Sequence, residues 1–98
     1  MVSQLRMYKA KDGELEAFIE EWRAQVLPLR RRFGFRVEGA WAIRERNEFI
    51  WIIAYDGPEG FEKRDAEYYA SPERKALTPD PARHLAHIDT RLMTSVLS

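Results

Sequence analysis

Cysteine is missing altogether from the 98 residues. There is accordingly no disulfide framework, no thiolate metal site and no cysteine nucleophile. Net charge is missing too, because 16 Lys and Arg balance 16 Asp and Glu. That balance argues against a nonspecific nucleic-acid binder, which needs a basic excess. Long apolar runs are also absent. The longest, Phe49 to Tyr55, is far too short to cross a bilayer as a helix. Met1 to Lys11 carries no apolar stretch of the signal-peptide kind, so the expected location is the cytoplasm. The five glycines, at 13, 34, 39, 57 and 60, are not clustered as a phosphate loop requires. Ser3, Ser71, Ser95 and Ser98 lack the flanking His or Gly context of an activated nucleophile. The acids are spread along the chain, so no glycosidase-type pair stands out.

What is present is apolar and aromatic: 45% of residues are hydrophobic and 12% aromatic. That is ample for a packed core, and the length allows one domain, residues 1–98. Val2 to Lys9 reads as a strand ended by Lys11-Asp12-Gly13. Gly13 to Arg32 reads as a helix, with Leu15, Ile19, Trp22, Val26 and Leu29 on one face and Glu14, Glu20, Glu21, Arg23 and Arg30 on the other. Asp12 is the expected N-cap and Gly34 the stop. Pro28 should kink the last turns, because it cannot donate to the carbonyl of Ala24. Phe35 to Ile43 reads as a second strand with Val37, Gly39, Trp41 and Ile43 on one face. Arg44 to Asn47 is a hairpin loop, and Glu48 to Tyr55 a third strand, apolar on both faces. A helix over Glu59 to Tyr69 follows. Ser71-Pro72 opens a short helix to Leu77, and Asp80-Pro81 caps a turn through His84. The last strand is expected over Ile88 to Leu97.

The order β-α-β-β-α-β is the split βαβ arrangement of α+β ferredoxin-like folds. Two helices cover only one face of a four-stranded sheet, yet the third strand is apolar on both. The open face needs a cover, and a second copy is the simplest one. A homodimer through the sheet faces is therefore expected.

Gln4-Leu5-Arg6-Met7-Tyr8, the helix start at Gly13, Phe18 with Trp22, Leu27-Pro28, Gly34-Phe35, Gly39-Ala40-Trp41, Tyr55-Asp56 and Ser71-Pro72-Glu73 come in an ordered set. That set resembles the NIPSNAP family. The resemblance implies a dimeric α/β barrel built from ferredoxin-like subunits, and says little about chemistry. The wider group of such barrels includes cofactor-free monooxygenases, small-molecule isomerases and cyclases, and haem enzymes.

Candidate site residues follow from residue type. His84 and His87 are the only histidines. On a helix, i and i+3 share a face, where the pair could move protons or hold a metal or haem; otherwise they are plain surface residues. Arg6 and Arg91, charged residues in strands, suit a clamp on a substrate carboxylate or enolate, or an ion pair at a strand edge. Tyr8, Trp41, Trp51 and Tyr69 suit the walls of an aromatic pocket, or simple core packing. Tyr68 and Tyr69 should diverge, one into the core and one towards a cleft. No cofactor is called for, and neither nucleic acid nor membrane is an expected partner. Three functions fit. The first is a homodimer binding a small hydrophobic or aromatic molecule, with cofactor-free monooxygenase or isomerase chemistry if it is an enzyme. The second is a non-catalytic dimerisation module. The third is a haem or metal binder. Enzymatic activity itself is left open.

Overall fold

The strand that is apolar on both faces lies inside a sheet. A computed structural model describes residues 2–97, so Met1 and Ser98 lie outside it. Four antiparallel strands, β1 (Val2–Ala10), β2 (Arg36–Ile43), β3 (Glu48–Ala54) and β4 (Leu85–Thr94), run in the order β2-β3-β1-β4. Helices α1 (Leu15–Glu21) and α2 (Leu27–Arg32), joined by a π-helical turn Trp22–Val26, link β1 to β2. Helices α3 (Phe61–Ala70) and α4 (Pro72–Lys75) and a 3₁₀ turn, Pro81–His84, link β3 to β4. This is the α+β ferredoxin-like architecture, with the helices packed on one face of the sheet.

Alternation decides which side chains meet the helices. Phe49, Trp51 and Ile53 of β3 point inward with Arg6 and Tyr8 of β1, and all five are buried. Phe18 and Trp22 come down from the helix to make edge-to-face contacts with Phe49, at centroid separations of 5.2 and 5.0 Å. Trp22 also meets Trp51 edge-on at 5.2 Å. Such pairs add about 0.5–1.5 kcal/mol each beyond their buried area. Leu5, Met7, Ile50, Ile52 and Trp41 take the other face, and Trp41 is 53% exposed. There the Trp41 ring lies over Gly39, so that a Cβ on Gly39 would sit 2.5 Å from it.

Several local expectations need correction. The register of β2 against β3 slips between Val37 and Gly39. This bulge sends Val37 to the helix side and leaves Gly39 and Trp41 on the open face, because one extra residue reverses the alternation. Asp12 does not cap the helix. Lys11 and Gly13, the latter at φ 76°, form a turn, and Glu14 occupies the cap position without a side-chain bond. Pro28 is accommodated by the turn ahead of it, where Leu27 N–H reaches back to Trp22 O, an i→i+5 bond. The last strand starts at Leu85, because Ala10 pairs with it across a bulge. It stops at Thr94, because Val2, its partner there, is where β1 begins.

Candidate functional site

The π-helical turn has a consequence for Arg30. One additional residue in a helical turn rotates everything after it by roughly 100°. Arg30, placed on the solvent face by a regular 3.6-residue period, instead points inward and is 1% exposed. Its Nη1 donates to Asp65 Oδ1 at 2.7 Å, and its guanidinium stacks 3.8 Å from the centre of the Tyr68 ring. Tyr68 and Tyr69 diverge as adjacent helical residues must. Tyr68 is buried, and Tyr69 lies at the cleft with its ring 42% exposed.

Arg6 meets this group from β1. Its Nε donates to Tyr8 Oη at 2.7 Å, Nη1 to Gln4 Oε1 at 2.5 Å and Nη2 to Tyr69 Oη at 2.8 Å. Tyr69 Oη also accepts from Arg30 Nη2 at 3.3 Å, so one phenol bridges two buried guanidinium groups. Burial opposes the Arg6 charge, but the oxygens of Tyr8 and Tyr69 outweigh it, and the pKa lies above the ordinary arginine value. Burial pushes the Tyr8 phenol up, against the pull of Arg6, so Tyr8 keeps its proton at neutral pH. Burial likewise raises Tyr68.

Arg6, Tyr8, Arg30, Tyr68 and Tyr69 line a pocket of about 730 Å³ between the sheet and the segment that follows α3. Trp51, Tyr8 and Phe18 form its inner wall, Leu77, Pro81 and Leu85 its outer one, and Arg74 stands at its edge. The size suits a small organic ligand, and the mixture of apolar wall and few polar groups is that of a ligand site. A second hollow, of about 780 Å³, lies beside Tyr55 and Leu92. Its sole buried lining residue is Phe61, and it holds no buried polar side chain.

Of the residues singled out in the sequence, Arg6, Tyr8, Trp51 and Tyr69 converge here. Trp41, His87 and Arg91 do not. All three project from the opposite face of the sheet, where Arg91 is hydrogen-bonded to Asp89. His84 and His87 share no face, because the 3₁₀ turn ends at His84 and an extended strand begins at Leu85. His84 is buried against the helix instead, its Nδ1 2.8 Å from Glu14 Oε1 and its Nε2 3.1 Å from Glu21 Oε2. The two carboxylates raise its pKa, Glu21 more than Glu14. Among the described residues, no cluster of three or more His, Asp or Glu side chains is arranged to hold a metal ion. Arg30 and Arg74 escaped the sequence reading. Pro28, inside an otherwise regular helix, was the available signal for Arg30.

The NIPSNAP family model matches residues 3–97. The chain belongs to the NIPSNAP family. No curated protein matches it at a significant level. Among solved structures, a NIPSNAP domain protein from Burkholderia xenovorans is 20% identical, with TM-score 0.85 over 99% of this chain and 96% of that one. A NIPSNAP family protein from Agrobacterium tumefaciens is 13% identical, with TM-score 0.84 over 99% and 95%. A putative antibiotic biosynthesis monooxygenase from Nitrosomonas europaea is 16% identical, with TM-score 0.70 over 98% and 99%. At these identities the likeness is one of fold, and the NIPSNAP chain must be read for function from its own pocket.

Proposed function

We propose that this NIPSNAP protein binds a small planar hydrophobic or aromatic molecule in the pocket between sheet and helices, and does so as a homodimer joined through the open sheet face. The observation that carries the first part is the bridge Arg6–Tyr69–Arg30 on the wall of a pocket of about 730 Å³. A module serving dimerisation alone has no need to bury two guanidinium groups beside an unfilled space, since buried charge is costly. The flat faces of Trp51 and Tyr8 suit a planar guest, which Arg6 and the Tyr8 hydroxyl would orient. If the site is catalytic, a cofactor-free monooxygenase or isomerase is the reaction class in keeping with the fold shared with the Nitrosomonas protein. The proton-moving role considered for His84 and His87 passes to Tyr8 and Tyr69, the hydroxyls that reach the pocket.

The dimer rests on the open face. Leu5, Met7, Ile50, Ile52 and Trp41 form an apolar centre, and Arg36–Asp56, Ser3–Glu38 and Asp89–Arg91 form a polar rim. An apolar centre with a polar rim is the anatomy of an association surface. The pocket opens on the other side of the sheet, so dimerisation leaves it accessible.

Binding is tested by tryptophan quenching with two isosteric probes, 2-naphthoate and 2-naphthamide. Saturable quenching by either one, abolished in Ala82→Trp, which fills the pocket from its outer wall, is the expected result. If neither probe quenches saturably, the pocket reading falls.

A further inference from the structure

Of the three guanidinium groups around the pocket, two are salt-bridged to a carboxylate and one is not. Arg30 has Asp65 at 2.7 Å, and Arg74 has Asp80 at 3.0 Å. Arg6, 5% exposed, makes no salt bridge among the described residues and feels Asp65, already engaged by Arg30, only through space. Its three hydrogen bonds go to a carboxamide oxygen and two phenol oxygens, all of them neutral. A guanidinium carries five N–H groups, so two remain unused. Taking a cation out of water without an anion beside it is among the costliest arrangements a protein tolerates.

The surroundings repeat the imbalance. Arg6, Arg30, Arg74 and Lys75 line the pocket, and among the described residues Asp80 is the one carboxylate that lines it, with Asp65 behind Arg30. Four cations against two anions is a local excess of positive charge in a chain whose overall charge is zero. The neutral polar groups favour the same sign of guest. Tyr8 Oη and Tyr69 Oη both accept from guanidinium N–H groups, which leaves their own hydrogens to be donated. Tyr68 Oη, fully buried on the pocket wall, has no hydrogen-bond partner among the described residues. The site thus offers donors and cations, and its carboxylates are already engaged.

We propose that the ligand of this pocket is an anion, a carboxylate carried on a planar aromatic or conjugated body, with the carboxylate seated on the free N–H groups of Arg6 and the hydroxyl of Tyr69. This rests on the pocket being the ligand site and adds the chemical class of the ligand. The planar fork of arginine matches the two oxygens of a carboxylate, and a charge-assisted pair is roughly twice as strong as a neutral one. The flat body would lie against Trp51 and Tyr8, whose rings already frame the Arg6 guanidinium at 5.6 and 5.7 Å. Bound in this way, the anion supplies the salt-bridge partner that Arg6 lacks among the described residues.

The naphthyl pair separates this claim from the one it rests on. At neutral pH 2-naphthoate is ionised and 2-naphthamide is a neutral molecule of nearly the same shape. In the wild-type protein the acid is expected to bind at least roughly tenfold more tightly than the amide. In Arg6→Gln the ratio should fall to about one. Should Arg6→Gln not fold, Tyr69→Phe serves, because Tyr69 is partly exposed and the change removes only its hydroxyl. It should lower the acid-to-amide affinity ratio by roughly threefold to tenfold. Equal affinities in the wild type, or a ratio that survives in both folded variants, would overturn the anionic ligand while leaving the pocket standing. Failure of both probes to bind overturns both readings at once.

Discussion

Arg30 is held in the core by Asp65 at one end and by the faces of Tyr68 and Phe35, 3.8 and 4.7 Å from its guanidinium, at the other. The partners are not equivalent. Arg30 is fully buried and Asp65 is partly exposed, so removing one does not mirror removing the other. Asp65→Ala leaves a buried cation without its anion and should cost about 3–5 kcal/mol. Arg30→Met leaves a carboxylate that water can reach and an apolar chain in an aromatic cage, and should cost clearly less. Denaturant unfolding of the two variants measures the difference. Equal losses would mean that the ion pair matters less than the packing of the arginine stem. At the same scale, Ser71 holds the start of α4, its Oγ accepting from Arg74 N–H at 3.1 Å and donating to Tyr68 O at 2.7 Å. Ser71→Ala should lower stability by about 1 kcal/mol. It should also loosen the end of α3 from which Tyr69 reaches Arg6, which would appear as faster amide exchange over residues 68–75.

At the scale of elements, the 3₁₀ turn Pro81–His84 forms part of the outer wall of the pocket and is fastened to α1 by charge. Arg83 makes two hydrogen bonds to Glu21, and His84 lies between Glu21 and Glu14. These two carboxylates raise the His84 pKa above its ordinary value of 6.5. A raised folded-state pKa means that folding favours the protonated ring. The stabilisation is complete below the unfolded pKa and is lost as pH rises through the folded one. Glu21, held low chiefly by Arg83, loses its own contribution only at acid pH. The melting temperature should therefore fall from mildly acidic to mildly alkaline pH, and His84→Gln should flatten that fall. An unchanged slope in the variant would remove His84 from the account. The helix between β1 and β2 carries the other lesson of this scale. Its apolar face was legible along the whole length, since Leu15, Ile19, Trp22, Val26 and Leu29 are all buried. The π-helical turn adds Arg30, counted as solvent-facing, to the buried side and to the pocket wall.

For the whole molecule, the question is what covers the second face of the sheet. Trp41 stands 53% exposed on that face, packed over Gly39, with Ile50 beside it across the strand pair. If two copies meet there, a charge at its centre must separate them. Trp41→Glu should convert a dimer into a monomer by sedimentation at micromolar concentration. It should leave each subunit folded, since Trp41 is half exposed and lies outside the buried core cluster. A wild-type protein that sediments as a monomer would overturn the dimer. In that case the surface of Leu5, Met7 and Ile52 would need another partner.

Much of this architecture could be read before any coordinates. Periods of two and near 3.6 are local, and the order of elements follows from them. The two-sided character of β3 placed it inside a sheet, and the short motifs from Gln4 to Asp56 pointed to the family that the chain belongs to. The site was legible only in part. Arg6, Tyr8, Trp51 and Tyr69 stood out as residue types suited to a pocket. Strand alternation sets the faces of Arg6, Tyr8 and Trp51 and helical phase that of Tyr69, but which face of the sheet the helices cover is not written in either period. His84 and His87 looked like a pair because spacing alone does not say whether a segment is helical or extended. The convergence of Arg6 with Arg30 and Tyr69 joins residues 24 and 63 positions from Arg6. Local pattern carries no information at that range. Only the packing of helix on sheet brings the two cations together, with a salt bridge for Arg30 and neutral oxygens for Arg6.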